Sequence, residues 1–397
     1  MSQRHEIREA IGSRLEHELL LLCIRSGPDA ETAARIKHLA QQQLDWDYLL
    51  RLAHRHCVFP LLYQQLQTCA DGATPVNIRQ NLRQRFHQNA AHSVLLAAEL
   101  ARIVATLDAR GIRTLAFKGP ALAVLAYGQV SLRRYVDLDV IVQPRDLQRA
   151  REVLRELGFN APEHLSPSRD RLLERWQHSV ALVRADDGVM VELHWRIAAK
   201  GFATLPFENE MWERAIEISI CGARVKTLSP EDLLIALCLH GAKHFWERLS
   251  WVSDVARLLD QELDWFLVFQ LAAEAGVERM LALGLCLAAE LFSVKLRAEL
   301  VRRTHSDAIA SDLAVQAVSR MFAGADLRPF SLQRAIGFNL RARRRWFEKA
   351  RYCGYLLAPT EADLAIRALP ERLEFAYYLL RPLRLMRGRK RVAKSNR

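Results

Sequence analysis

The chain reads as α+β and mostly helical: a small mixed-sheet core flanked by N- and C-terminal helical regions. Three observations predict this. Through residues 1–92 apolar side chains recur every three or four positions, as in ELLLLCI and DWDYLLRLAHRHCVFPLLYQQLQ, which is the period of one helical face. Over residues 93–204 short apolar runs alternate with helical stretches punctuated by Gly and Pro, the texture of a small α/β unit. From about residue 205 to 386 the helical period returns, and residues 387–397 form a basic tail.

The elements follow in order. The stretch TCADGATPVN at 68–77 breaks the first helical region, and a helix over about 92–109 ends at Gly111. GIRTLAF is a short strand, Lys118-Gly119-Pro120 a turn, and PALAVLAY a helix closed by Gly128. YVDLDVIV is the next strand. PRDLQRAREVLRELGF is a helix with Pro144 in its first turn and Gly158 just past its end, the asymmetry that the missing proline N–H and the permissive glycine backbone produce. VALVRADDGVMVELHW is a hairpin turning at Asp187-Gly188. Ser229 caps a helix through LLIALCLHGAKHFW.

The 397 residues suffice for two or three packed units. The formal net charge of +12 and pI near 9.6 favour anionic partners such as phosphates, nucleic acid or acidic lipid without choosing among them. Seven cysteines are scattered singly with no CxxC pair, as expected of reduced thiols in the cytoplasm. The charged N-terminus is not a signal peptide, and the apolar run MLALGLCLAA at 280–289 is short of the ~20 residues a spanning helix needs. A cytoplasmic location is the expectation.

The most informative segment is YVDLDVIV. Alternation along a strand puts Asp137, Asp139 and Ile141 on one face and Val136, Leu138, Val140 and Val142 on the other. The second set is a core face. Two like charges on the first repel unless a cation sits between them, and a hard divalent ion with oxygen ligands, such as Mg²⁺, meets that need. A solvent-facing acidic pair, or pairing with Arg133 and Arg134, is the alternative. Upstream, Lys118-Gly119-Pro120 places free helix N–H groups and a lysine at the strand tips, where a phosphate binds. In VMVELHWRI, Met190, Glu192 and His194 share a face, so Glu192 joins the aspartates if the strands are neighbours. Three carboxylates beside a helix N-terminus make a two-metal phosphoryl-transfer site.

FKGPALAVLAYG, LRRYVDLDVIV and VELHWRI, with DWDYLLRLAHRHCVFPLLY before them and LSPEDLLIALCLHGAKHFWERLSWVSDVARLL after, resemble the bacterial uncharacterised nucleotidyltransferase family of the polymerase-β-like nucleotidyltransferase superfamily. The resemblance covers most of residues 20–260 and implies that the sheet unit is a nucleotidyltransferase core. It implies Mg²⁺-dependent transfer of a nucleoside monophosphate from an NTP to an acceptor hydroxyl, releasing pyrophosphate. By matching positions, Asp137 and Asp139 hold two Mg²⁺ ions, with Mn²⁺ an alternative. Glu192 holds the second metal and helps deprotonate the hydroxyl, and Lys118, Gly119 and Arg133 contact phosphates. The superfamily at large has Gly-Ser where this chain has Lys118-Gly119. A catalytically inactive nucleotide-binding or scaffold protein of the same fold is therefore the alternative.

His194, His240, His244 and Asp254 are acceptor-side candidates, and the resemblance implies that the helix carrying the two histidines, with Trp246, Arg248 and Trp251, closes over the site. His240 and His244 stand at zinc-binding spacing, but Gly241 occupies the place of a zincin glutamate. His54, His56 and Cys57 are spread around a helix axis, so a joint metal role is disfavoured, and His178 is expected to be structural. The acceptor, a small molecule, a protein side chain or a nucleic-acid end, is left open. Contact of the basic tail with nucleic acid or an acidic membrane is not favoured, since the tail lacks interleaved aromatics.

Overall fold

The computed structural model describes residues 3–161, 167–205, 209–323, 331–360, 363, 376–378 and 381. The basic tail 387–397 lies outside the described residues. Five short helices open the chain: α1 Gln3–Ile11, α2 Leu15–Ile24, α3 Ala30–Ala40, α4 Trp46–Arg55 and α5 Phe59–Ala70. Asp29 and Asp45 cap α3 and α4 by accepting N–H bonds from Thr32 and Tyr48. Then α6 runs unbroken over Val76–Ala109, 34 residues. It begins well ahead of the expected residue 92, because no Gly or Pro interrupts it after Pro75.

An 18-residue window of α6 is apolar enough to cross a bilayer. Its Leu96, Leu100, Ile103, Val104 and Leu107 are instead buried in the core of the sheet unit.

The sheet unit follows: β1 Thr114–Ala116, α7 Gly119–Tyr127, β2 Asp137–Val142, α8 Leu147–Glu156, β3 Phe159–Asn160, α9 Pro167–Trp176, β4 Ser179–Arg184 and β5 Met190–His194. The strand order is β1-β2-β5-β4-β3. Only the central β2–β5 pair is parallel, and it sets Asp137 against Met190 and Asp139 against Glu192. One face of these two strands is wholly apolar. Leu138, Val140, Val142, Val191 and Leu193 are fully buried with α6 and with Val153 and Leu154 of α8.

A second hairpin, β6 Ile216–Ile220 and β7 Ala223–Thr227, corrects the expectation of helix throughout residues 205–386. Its signal was present in IEISI-CG-ARVKT, alternating residues around a tight turn at Cys221-Gly222. Helices then resume: α10 Pro230–Lys243, α11 Leu249–Leu258, α12 Trp265–Ala275, α13 Glu278–Phe292, α14 Ala298–His305, α15 Ala308–Phe322, α16 Leu332–Arg341 and α17 Trp346–Leu357. Ser229 caps α10 as expected.

The helices on either side of the sheet unit are not separate bodies. Side chains from α1 to α5, from α10 to α13 and from α15 to α17 form one continuous hydrophobic core, which Phe117, Leu122 and Ile141 of the sheet unit also enter. His56 fastens the two halves. Its Nδ1 accepts from the Leu249 N–H at 3.2 Å, where α11 starts without a side-chain cap of its own. Its Nε2 donates to the Met321 carbonyl at 3.0 Å. Both contacts together require the neutral imidazole.

Burial, aided by Arg55, pushes the His56 pKa down to about 3. The unfolded chain then takes up a proton below pH 6.5 that the folded chain refuses. Stability is full above pH 6.5 and falls as the pH drops toward about 3, by up to about 1.4 kcal/mol per pH unit from this one group. Urea unfolding at pH 7, 6 and 5 should give a shallower decline for His56→Gln than for the parent chain. An identical decline would remove His56 from this role.

Candidate active site

The carboxylate face of β2 and β5 is where charge gathers. Asp139 is buried, and its Oδ1 accepts from Lys118 Nζ at 2.8 Å and from His194 Nε2 at 3.1 Å. His194 Nε2 lies 3.3 Å from Glu192 Oε2, and the other Glu192 oxygen accepts from Ser179 Oγ at 2.6 Å. His194 therefore sits wedged between two carboxylates, with the Phe117 ring edge-on at 5.0 Å. Ser179 reaches Glu192 because β4 pairs antiparallel with β5, with Ser179 opposite His194.

Each protonation state follows from this packing. Burial opposes ionisation of Asp139, but the Lys118 ammonium and the His194 hydrogen bond outweigh it and hold its carboxyl below the ordinary range. Burial likewise opposes Glu192, and His194, Lys118 and Ser179 reverse it, leaving this carboxyl well below the ordinary range. His194 is raised despite its burial by Glu192 and Asp139, and Lys118 is raised despite its burial by Asp139 and Glu192. Asp137 is the exception. Burial and repulsion from Asp139 raise its pKa, and among the described residues no hydrogen-bond or ion-pair partner faces its carboxylate.

Three carboxylates thus meet two resident cations, with Asp137 left over. That donor set fits a hard divalent ion, which takes oxygen ligands and would relieve the repulsion on Asp137. To ligate Asp139 Oδ1, such an ion must displace the Lys118 ammonium. His178, Glu192 and His194 offer a further group of ligand atoms within 4.8 Å of one another.

Gly119 opens α7 against the start of β2. Its φ is +51°, and a Cβ there would lie 3.1 Å from the Asp137 carbonyl oxygen. Only glycine lets the helix start approach the aspartate strand this closely. The Gly119 N–H and the Lys118 side chain are thereby brought close to the start of the aspartate strand; Pro120 has no N–H, and the Ala121 and Leu122 N–H groups donate to the Lys118 carbonyl.

Other expected residues are placed differently. Arg133, expected at the phosphates, forms a two-pronged ion pair with Asp254 of α11, Nε to Oδ1 at 2.9 Å and Nη2 to Oδ2 at 3.0 Å. The Tyr127 hydroxyl donates to the same carboxylate at 2.7 Å and lies 3.1 Å from Ser253 Oγ. Asp254, expected on the acceptor side, is thus a buried anchor for the loop leading into β2.

Trp246 does not close over the site. It is fully buried in a notch left by two missing side chains, since a Cβ on Gly241 would fall 2.5 Å from its ring and one on Gly284 3.2 Å. His240 and His244 do line up with Trp251, their rings 5.2 and 5.5 Å from it, and burial with the nearby lysines pushes both pKa values down. Sequence reasoning overlooked Ser179 and Lys243 altogether. Lys243 lies one turn past His240 on α10, a spacing that was readable in HGAKH.

Over residues 42–293 the chain matches the family model described as uncharacterised nucleotidyltransferase, and it belongs to that family. A solved structure, an antigenic nucleotidyltransferase-like protein from Paracoccidioides brasiliensis, aligns with 52% of this chain and 95% of its own, at 15% identity and a TM-score of 0.32. No curated protein matches the chain in sequence.

The Arg133–Asp254 pair yields a stability test. Arg133 is 11% exposed and Asp254 1%, so removing one partner strands a buried charge. Asp254→Asn should lower unfolding free energy by about 3–5 kcal/mol. Arg133→Met combined with Asp254→Leu should cost far less than the sum of the single changes. Additive losses in denaturant unfolding would refute the coupling.

Proposed function

We propose that this member of the nucleotidyltransferase family is an active, Mg²⁺-dependent enzyme that transfers a nucleoside monophosphate from an NTP to an acceptor hydroxyl. The observation that supports this best is the meeting of Asp137, Asp139 and Glu192 on one face of β2 and β5, beside the N-terminus of α7. Bound divalent ions would supply charge neutralisation of the triphosphate and acidify the attacking hydroxyl.

The chain's own residues do the rest. Asp137 and Asp139 would hold the ion and so orient the triphosphate, and Glu192, ionised beside His194, would hold a cation and face the acceptor hydroxyl. The Gly119 N–H at the start of α7 and the Lys118 ammonium stabilise the phosphate oxygens. The hydroxyl oxygen forms a bond to the α-phosphorus, the bond to the pyrophosphate oxygen breaks, and the hydroxyl proton passes to the carboxylate cluster. In this reading Lys118 leaves Asp139 for the phosphates when nucleotide arrives. Arg133 acts through the loop it anchors.

One observation favours a second reading, nucleotide binding or scaffolding without catalysis. Lys118 and His194 already neutralise Asp139 and Glu192 without a metal. Calorimetry with the four NTPs, with and without Mg²⁺, separates the two. The transfer reading expects one NTP to bind only with Mg²⁺, and Asp137→Asn/Asp139→Asn to weaken that binding at least tenfold while remaining folded. A folded parent chain that binds no Mg²⁺-NTP would sink it in favour of the scaffold.

A further inference from the structure

A second charged cluster lies between β5 and α10, and the transfer reading leaves it without a task. Lys243 ends α10 with its ammonium 3.3 Å from His178 Nε2. Among the described residues no carboxylate lies within ion-pairing distance of it. Because His178 Nε2 accepts from the lysine, its proton is on Nδ1, and that N–H is buried with no partner. With Lys118, His194 and His240, these two residues line a cavity of about 30 Å³, closed by apolar side chains that include Phe117 and Phe202.

A half-buried ammonium with no carboxylate at ion-pairing distance and a buried N–H without an acceptor are each unfavourable. One anionic group in the cavity would satisfy both donors. At roughly 10–15 Å³ per water-sized occupant, the space admits a head group of a few heavy atoms and excludes a base or a sugar.

Topology decides which molecule brings that group. The strand order β1-β2-β5-β4-β3 puts Gly119 and the α7 N-terminus on the Asp137 side of Asp139. His178, just ahead of β4, and Lys243 stand on the Glu192 side. Lys118 borders the cavity as well, but His178 offers a ligand atom within 4.8 Å of Glu192, the carboxylate that faces the acceptor hydroxyl in the transfer reading. We propose that the cavity is a subsite for an anionic group, a carboxylate or a phosphate, borne by the acceptor next to its reacting hydroxyl. The assignment to the acceptor rests on the transfer reading; the anion site itself does not.

The probes are inorganic phosphate and acetate, titrated by calorimetry into the parent chain, Lys243→Met, His178→Phe and Asp137→Asn/Asp139→Asn. Methionine keeps close to the volume of Lys243 and removes a half-buried charge that has no ion-pair partner among the described residues, so its thermal midpoint should hold or rise. The parent chain should bind at least one probe, Lys243→Met and His178→Phe should each weaken it at least tenfold, and the double aspartate variant should retain it. Mg²⁺-NTP binding should be the same in Lys243→Met as in the parent.

A parent chain that binds neither anion, or binding unchanged by Lys243→Met and His178→Phe, overturns the subsite. A tenfold loss of Mg²⁺-NTP binding in Lys243→Met assigns the anion to the nucleotide's own phosphates and overturns the acceptor assignment. If the transfer reading alone is wrong, no NTP binds while the probes still bind through Lys243.

Discussion

The parallel pairing of β2 with β5 is the constraint on which the rest of the site depends. It places Asp139 directly opposite Glu192, with Asp137 one pleat away on the same face. Strand register admits no compromise here, because a one-residue slip would bury all three carboxylates in the apolar core and expose Leu138, Val140 and Leu193. The like charges are a consequence of correct folding, and the surroundings are arranged to make them tolerable. Lys118 comes from the start of α7, which Gly119 lets approach, and His194 from the same strand as Glu192. Among the described residues Asp137 is left without an ion-pair partner.

The second constraint is mechanical. The loop between α7 and β2 is held to α11 by the Arg133–Asp254 pair, with the Tyr127 hydroxyl on the same carboxylate. Through α11 that anchor joins the core shared by the early and late helices, where His56 secures the helix start. The position of the aspartate strand is therefore referred to the whole helical body. A buried ion pair contributes little net stability over an apolar replacement, so its value here lies in fixing geometry.

Charge is distributed unevenly along the cleft. Lys118, from the start of α7, borders the same cavity as Lys243 and His178, so the cations gather at one edge of the carboxylate group. His240 and His244 stay neutral because burial and the lysines oppose their protonation, which leaves their ring nitrogens as directional hydrogen-bonding groups.

Much of this was legible in the chain alone. Period-two alternation in YVDLDVIV and VMVELHW placed Leu138, Val140, Val142, Val191 and Leu193 in the core, because it is a property of strand geometry and needs no partner; Val136, expected on the same face, lies ahead of β2 and is exposed, and Ile141 of the carboxylate face is buried in the helical core. The short helix of PALAVLAY, its Gly128 stop, the Asp187-Gly188 hairpin and the Ser229 cap are equally local. The β6–β7 hairpin was equally local and was overlooked amid helical neighbours. Sequence by itself determined which carboxylates share a face and which glycine stands at the helix start, since both follow from backbone periodicity. Tertiary structure alone decided that Arg133 answers Asp254 across 121 residues, that Trp246 fills the notch at Gly241 and Gly284, and that Lys243 meets His178. Those contacts join residues distant in the chain, and which cation reaches which anion is set by helix packing, which leaves no periodic trace in the sequence.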